Sequence, residues 1–430
     1  MAKPKLGVEI DFANGPAFGY PFLLNDPNFG ILDENILADA PADIVDISAQ
    51  VRRCSTRRGR NRILANFEAG TATVVLNDPN SDFNPQNTSS PYYGKLLPLR
   101  KIRIYADQDR GDGIIQRYFM FSGYITSYDT NFYQGTNEDA TVTLQCADGF
   151  RLLANVATGA APLTVDNLNT VQLSGARVNS LLDFATWPVG LRNIDTGDSA
   201  MQVDPGGERN VLQAIQTIEQ SEFGAFYIQP TGVARFLDRT DVSELADVGP
   251  RLFSDLVNVG LPYINLDIAF DDQLILNDVS VTRVGGTTQT VEDQDSIDTY
   301  FYKSGQRTGI LVQTDQEAND QARMLLAARK NAELRVDSMT LSLSTDNNSL
   351  NVAGLTTDIY RLIYVYKTMP GGSTVEKELF VQGVQHDVTP TAWTTKFFTQ
   401  EPIIQAFILD SATQGILGLT DPPNNNTLSY

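Results

Sequence analysis

The chain is 430 residues long and 42% of them are hydrophobic, which predicts a folded protein of two or three domains and excludes a largely disordered one. Its 52 acidic residues outnumber 32 lysines and arginines, so the formal charge is −20. This excess argues against a protein that holds nucleic acid, which needs cations to neutralise phosphates, and against stable association with an anionic membrane.

The lack of targeting signals and the low number of cysteines both indicate a chain that is made in a cytoplasm. The sequence contains neither a signal peptide nor an apolar run of about 18 residues, so we expect synthesis and folding in the cytosol. Two cysteines, Cys54 and Cys146, are too few for a disulfide framework. The sequence leaves open whether these two form a single bridge.

Residues 1–40 are predicted to form an extended arm, and residues 41–150 a first β domain. The arm is rich in Gly, Pro, Asn and Asp but interleaves aromatic residues, which is typical of a segment that packs on another surface. A turn-rich stretch at 107–113 predicts a hairpin. The predicted strands are 71–76, 101–105, 116–126 and 140–146. Short strands separated by such turns indicate a sandwich or barrel.

Residues 151–250 are predicted to form a small α+β domain. Apolar residues recur at helical spacing through 209–222, and Gly224 is placed to end that helix. The segments 225–228 and 233–237 then predict a β-hairpin.

Residues 251–405 are predicted to form a second β domain with a flanking helix at 315–334, followed by a flexible tail at 406–430. Thr314 and Glu317 have the spacing of a capping box. The predicted strands are 276–283, 338–344, 360–367, 378–384 and 394–399. The chain is therefore expected to be mainly β, with two tube-like sandwich or barrel domains separated by the α+β domain.

A cluster of arginines departs from the acidic background. A nucleic-acid patch would interleave aromatic residues, and a solvated strand face would mix in acidic residues, but the cluster has neither. Guanidinium groups that pair with carboxylates of an adjacent subunit fit better. The predicted subunit interface contains Arg52, Arg53, Arg57, Arg58, Arg60 and Arg62, together with Tyr92 and Tyr93. Charge reversal in the cluster is expected to prevent assembly while leaving the monomer folded.

Candidate catalytic and metal-binding residues have simpler structural interpretations. His386 is the only histidine, and its strand-like surroundings favour a hydrogen-bonded core residue. The alternation from Asp78 to Asn84 resembles the start of a calcium loop but lacks its glycine and its closing glutamate, so turn chemistry is favoured. Acidic pairs at 271–272 and 293–295 are expected to be solvated loop charges. We therefore predict no catalytic residue, no metal ligand and no cofactor.

Several motifs resemble the minor tail or tail-hub (baseplate) proteins of long-tailed bacteriophages, and the resemblance extends over nearly the whole chain. They are DIS at 46–48, RRGR at 57–60, FEAGTAT at 67–73, SPYYG at 90–94, NDVSVTR at 277–283 and VQGVQHDVTP at 381–390. The resemblance implies a structural virion protein without catalytic activity. It implies a homotrimeric ring at the tail tip, in which two tube-like β domains per subunit mimic a six-fold tube.

The same resemblance implies the partners of such a ring. They are a distal tail or tail tube protein above and a central spike or fibre protein below, with a tape measure protein as a further candidate. Genomic DNA is expected to contact the protein only in transit during ejection. The alternative from a different class is a carbohydrate-active or receptor-binding β module, which would bind or hydrolyse glycans of the host cell wall.

Overall fold

The computed structural model describes residues 3–13, 43–60, 67–132, 140–158, 170–207, 209–244 and 251–401. The predicted tail at 406–430 and most of the predicted arm at 1–40 lie outside these residues. None of the helices in the described part combines the length and the hydropathy needed to cross a membrane.

The chain is mainly β, as predicted, and its elements fall into three consecutive regions. The first β region contains β1 (Lys5–Asp11), β2 (Ile44–Asp46), β3 (Val51–Gly59), β4 (Glu68–Asn77), β5 (Lys101–Asp109), β6 (Ile115–Asn131) and β7 (Thr141–Ala147). The middle α+β region contains α1 (Phe150–Leu153), β8 (Gln172–Leu173), α2 (Ser174–Phe184), β9 (Arg192–Ile194), β10 (Ala200–Met201), α3 (Val211–Glu222), β11 (Ala225–Ile228), β12 (Ala234–Leu237) and α4 (Arg239–Glu244). The last region contains β13 (Arg251–Ser254), β14 (Asn265–Ala269), β15 (Asp278–Arg283), β16 (Gln289–Glu292), α5 (Gln294–Tyr300), β17 (Ser304–Ile310), α6 (Asp315–Arg329), β18 (Arg335–Ser342), α7 (Asn348–Thr356), β19 (Leu362–Thr368), β20 (Thr374–Val388) and β21 (Trp393–Gln400).

One sheet of thirteen strands runs through both β regions. Its order is β14-β18-β21-β20-β3-β4-β7-β6-β5-β1-β2, and β19 pairs with β20 and with β13 beside this path. The two regions are joined where β3 lies antiparallel to β20, and a single hydrophobic cluster includes buried residues of both. Among the described strands the path is open at both ends, so no closed barrel forms.

The first described residues are part of this sheet. β1 pairs along its whole length with β5, and Val8 and Ile10 are fully buried in the shared core. The alternation of Leu6, Val8 and Ile10 explains this placement, because alternate side chains of a strand face the same side. Residues 5–11 are therefore a sheet strand, whereas the sequence predicted an arm that packs on a surface.

The α+β region contains the predicted helix and hairpin. Asn210 caps α3 and forms a reciprocal capping box with Gln213. Phe223 takes the left-handed conformation that ends α3, with a φ of 59°, at the residue before the predicted Gly224. The hairpin of β11 and β12 is extended by β9, which lies parallel to β12.

The predicted flanking helix lies on a second, smaller sheet. β15 lies between β16 and β17 in this sheet, and Ala318, Ala322 and Leu325 of α6 are buried against it. The sequence suggested one sheet for all strands after residue 251, but the residues between β14 and β18 form a separate layer. α6 begins with the predicted Thr314 capping box. It ends at Arg329, whereas the sequence predicted an end at 334. The carbonyl of the next residue, Lys330, accepts a hydrogen bond from the hydroxyl of Ser296.

Candidate subunit interface

The arginine cluster lies on β3, at the joint between the two β regions. Alternate residues of β3 face opposite sides of the sheet, so the arginines have different environments. Arg52 and Arg53 are exposed, and Arg53 lies 3.9 Å from Asp387. Arg57 is half-buried and its guanidinium lies 5.1 Å from the ring centre of Phe398. The sixth arginine, at position 62, lies outside the described residues.

Arg58 is buried and bound within its own chain. Its Nε donates to the carbonyl of Met120 over 2.9 Å, and one Nη donates to the carbonyl of Ile228 over 3.3 Å. The other Nη lies 2.5 Å from a carboxylate oxygen of Asp358. Arg58 therefore ties together the first β region, the α+β region and the last region.

Arg60 is bound at the same three-way junction. Its Nε donates to the side-chain oxygen of Gln382 over 3.0 Å, and its guanidinium lies 4.3 Å from the ring centre of Phe67. It also donates to the hydroxyl of Tyr360 over 2.6 Å and pairs with Glu219 at 3.4 Å. Burial outweighs this pairing and raises the pKa of Glu219 to about 7.

The burial of Arg58 and Arg60 changes what the sequence predicted for them. Because their donors bind groups of the same chain, charge reversal at either position is expected to destabilise the monomer itself. An interface built on the exposed Arg52 and Arg53 stays a prediction. The sequence pattern does not distinguish the buried arginines from the exposed ones, because an arginine in an alternating strand is usually expected on the solvent face.

The two tyrosines of the predicted interface lie in the long connection between β4 and β5. Tyr92 is half-buried, with its ring 5.5 Å from that of Phe12 and 5.1 Å from that of Phe83. Burial raises the pKa of the Tyr92 hydroxyl. Tyr93 is 54% exposed, so only the second tyrosine offers its side chain to a partner.

The remaining candidate residues have structural roles. His386 is buried, Nδ1 lies 2.9 Å from the hydroxyl of Thr395, and burial lowers the pKa of His386 to about 3. The Asp78 carboxylate accepts the backbone amides of Asp82 and Phe83, as in a turn. Cys54 and Cys146 are both buried and free, so they do not form a disulfide bond with each other.

Three carboxylates of the acidic pairs contact cations of the same chain. The carboxylate of Asp271 accepts hydrogen bonds from both terminal nitrogens of Arg335, and Asp272 pairs with Lys303. Asp293 caps α5 and lies 3.0 Å from the ammonium group of Lys330.

One further acidic group has the spacing of metal ligands. Carboxylate oxygens of Asp195, Asp238 and Asp241 lie within 4.8 Å of one another. Arg235 donates to Asp195 and Asp241, so a guanidinium already provides the positive charge that these carboxylates need.

The two β regions repeat the same strand order. The first has β3-β4-β7-β6-β5 and the second has β14-β18-β21-β20-β19, with every neighbouring pair antiparallel. A row of paired residues crosses each unit at the same place. These rows are Cys54, Val74, Leu144, Tyr128 and Leu266, Met339, Phe397, Val384.

The repeat extends to irregular features of the backbone. The amide of Leu99 donates to the carbonyl of Ile125, as the amide of Tyr360 donates to that of Val381. Leu99 and Tyr360 both have left-handed backbone, with φ of 65° and 63°. Immediately after Ile125 in β6 and Val381 in β20, the pairing with the next strand shifts register. The two units are therefore equivalent residue by residue in their central strands.

The equivalent strands differ in one respect, which is whether their outer edges are covered. In β20 the end of the strand pairs with β3, and Val384 and Val388 are buried. The equivalent end of β6 has no strand on that side among the described residues, and Phe132 just after it is 53% exposed. β14, which is equivalent to β3, pairs only with β18, and Phe270 beside it is 67% exposed.

This arrangement is the fold of phage tail proteins. The tail protein from Neisseria meningitidis MC58 is similar with a TM-score of 0.55 and 13% identity, over 93% of this chain and 97% of that one. The 43 kDa tail protein of prophage MuSo2 from Shewanella oneidensis is similar with a TM-score of 0.53 and 12% identity, over 82% and 95% of the two chains. The prophage tail protein gp18 from Listeria monocytogenes EGD-e is more distant, with a TM-score of 0.45, 9% identity and coverage of 91% and 94%.

The similarity to these solved structures is one of fold, because the identities are 13% or lower. No family model matches the chain, and no curated protein matches it. At identities this low, the solved structures establish the fold alone.

Proposed function

We propose that the protein is a structural component of a phage tail and forms the hub of the tail tip as a ring of three copies. The observation that carries this proposal is the repeated strand order of the two β regions. Three copies of a chain with two equivalent sheet units supply six units, which matches a six-fold tube while keeping a three-fold assembly. The shared fold with two phage tail proteins supports the same class of protein.

The proposed ring joins the tail tube or the distal tail protein on one side to a central spike or fibre protein on the other. A tape measure protein is a further candidate partner. DNA passes through the centre without being held, since a chain of formal charge −20 repels phosphates. The protein is synthesised in the host cytoplasm and then becomes part of the virion.

We propose no enzymatic activity. Three of the four carboxylates in the acidic pairs that a hydrolase would use are held by Arg335, Lys303 and Lys330. A glycosidase needs one carboxyl group free to donate a proton and a second free to attack or to activate water. The geometry of these pairs therefore does not favour the carbohydrate-active alternative.

Electron cryo-microscopy of purified virions tests this function. The expected result is density for three copies of the chain around the axis of the tail tip, with six sheet units around one channel. Size-exclusion chromatography with light scattering on the purified chain is expected to show a trimer. A location away from the tail tip, or a single copy per tail, would overturn the proposal.

A further inference from the structure

We propose that two uncovered strand edges pair between neighbouring copies of the chain. The edge of β6 at residues 127–132 lies antiparallel to the edge of β14 at residues 266–270 of the next copy. This inference rests on the proposed ring and specifies its contact surface. It follows from the joint that the chain already forms between its own two units.

The template is the pairing of β20 with β3 inside the chain. The end of β20 in the second unit covers the outer edge of β3 in the first unit, and the ladder is antiparallel. The Cα partners on the core face are Val384 with Arg58, His386 with Thr56 and Val388 with Cys54.

Strand equivalence transfers this register to the uncovered edges. Tyr128 of β6 occupies the position of Val384 in the crossing row, and Leu266 of β14 occupies that of Cys54. The same joint between copies then has defined partners on its core face. They are Tyr128 with Phe270, Thr130 with Ile268 and Phe132 with Leu266.

The side chains that this register brings together are complementary. Five of the six partners are apolar or aromatic, and Tyr128, Leu266 and Ile268 already pack against the main core. Phe132 and Phe270, which are exposed in the single chain, become covered. A register shifted by one residue would instead place these rings on the polar face.

Neither edge has lysine or proline, two of the features that keep strand edges from pairing. Natural edge strands are commonly protected by lysine, proline or a covering element. Residues 127–132 (SYDTNF) and 264–270 (INLDIAF) contain no lysine and no proline. Within the described part of the chain, no strand covers either edge.

The occupant is a second copy because the strands equivalent to these two edges, β20 and β3, already pair with each other inside the chain. When the β6 edge of one copy pairs with the β14 edge of the next, the first copy keeps a free β14 edge and the next copy keeps a free β6 edge. Such a head-to-tail contact closes a ring when the rotation between copies fits. The joint inside the chain already sets the rotation between one unit and the next.

Engineered cysteines test the register. On the opposite face of the same ladder, Asp129 and Ala269 are direct partners, so the double variant Asp129→Cys/Ala269→Cys is expected to give covalent dimers and closed trimers on oxidation. The matched control Asn131→Cys/Ala269→Cys is displaced by two residues. The Cα atoms of its two cysteines would lie about 7–8 Å apart across the ladder, which is too far for a disulfide. Cys54 and Cys146 do not interfere, because both are buried.

Mixing single variants separates contacts between copies from contacts within one. Asp129→Cys mixed with Ala269→Cys is expected to give a covalent dimer, whereas neither variant alone forms a link.

The substitutions Phe132→Lys and Phe270→Lys are expected to abolish the ring without lowering the melting temperature of the monomer. The control Val257→Lys changes a valine that is 86% exposed elsewhere and is expected to have no effect.

The outcomes distinguish this inference from the proposed function. A trimer that forms but does not crosslink in this register, and that tolerates both lysine variants, overturns the inference and leaves the ring standing. A protein that is absent from the tail tip overturns the proposed function. Crosslinks within single chains would show that the edges are covered by the chain itself and would also overturn the inference.

Discussion

Arg60 lies where the first β region, the α+β region and the last region meet. Its guanidinium contacts Gln382, Tyr360, Glu219 and the ring of Phe67. A buried arginine needs such a set of partners, because removing its charge from water is costly unless each donor is satisfied.

Replacing Arg60 with Met is therefore expected to lower the free energy of unfolding by about 3 kcal/mol, because Glu219 and Gln382 lose their buried partner. Urea unfolding of the monomer measures this. The matched control is Arg53→Met on the same strand. Its side chain is 63% exposed, so we expect a change within about 0.5 kcal/mol. Equal effects of the two substitutions would contradict the assignment of Arg60 to the junction.

Glu219 gives the stability a defined pH dependence. Burial raises its pKa from 4.5 to about 7, so the folded state retains a proton that the unfolded state releases between these values. Stability contributed by the protonated form is therefore lost as the pH rises through this window, and the curve flattens above it.

The variant Glu219→Gln keeps the shape of the side chain and removes the titration. Between pH 4.5 and about 7, its urea midpoint is expected to fall less steeply than that of the wild type. Asp148, whose pKa burial also raises to about 7, is present in both proteins, so it cancels in the comparison. Parallel curves for the two proteins would exclude Glu219 as the source.

The joint between the two β regions depends on a close approach of β3 and β20. Gly59 has a φ of +93°, and a Cβ at this position would lie 2.3 Å from the carbonyl oxygen of Gln382. The backbone of β3 can reach Gln382 only because this residue has no side chain.

Gly59→Ala is expected to destabilise the protein by about 2–4 kcal/mol, through the left-handed backbone and the clash together. Gly113→Ala is the matched control. Its φ is +84° but nothing lies within 4 Å of the added Cβ, so only the backbone cost of about 1 kcal/mol remains. Thermal unfolding and limited proteolysis at the joint measure the difference. A loss at position 59 no larger than at position 113 would refute the clash.

The sequence predicted most strands and helices but not how they are joined. Runs of β-branched residues and the capping box at Thr314 are local signals, and the elements they predict are present as β4, β7 and α6. The pairing of β3 with β20 has no local signal, because Arg60 and Gln382 are 322 residues apart. The alternation in β3 shows which residues share a face, but not that this face is buried under another region.

For the same reason, the uncovered edges of β6 and β14 could not be found from the sequence. Alternation predicts that Tyr128 and Phe132 share a face, yet only the crossing rows show that β6 and β20 are equivalent strands. The sequence predicts two β-rich regions, and the structure adds that they have one strand order. The resemblance to tail proteins supplied the ring, and the strand edges supply a defined contact for it.

The formal charge of −20 acts against assembly. Copies that meet through apolar strand edges repel one another over a distance that salt reduces to about 8 Å at physiological ionic strength. Raising the salt concentration from low to physiological is therefore expected to lower the dissociation constant of the ring, as measured by light scattering over a dilution series. Weaker assembly at higher salt would indicate instead that pairing between arginine and carboxylate dominates the contact.

The joint between β3 and β20 also has a consequence for synthesis on the ribosome. Residues 51–59 leave the ribosome long before residues 374–388, and at about 5–20 residues per second this interval lasts roughly 15–60 seconds. During that time the outer edge of β3 has no partner strand, although β4 on its other side is already available. The nascent first half is thus open to wrong pairing with other nascent chains until translation is nearly complete, and this is the period in which a host chaperone would have most effect.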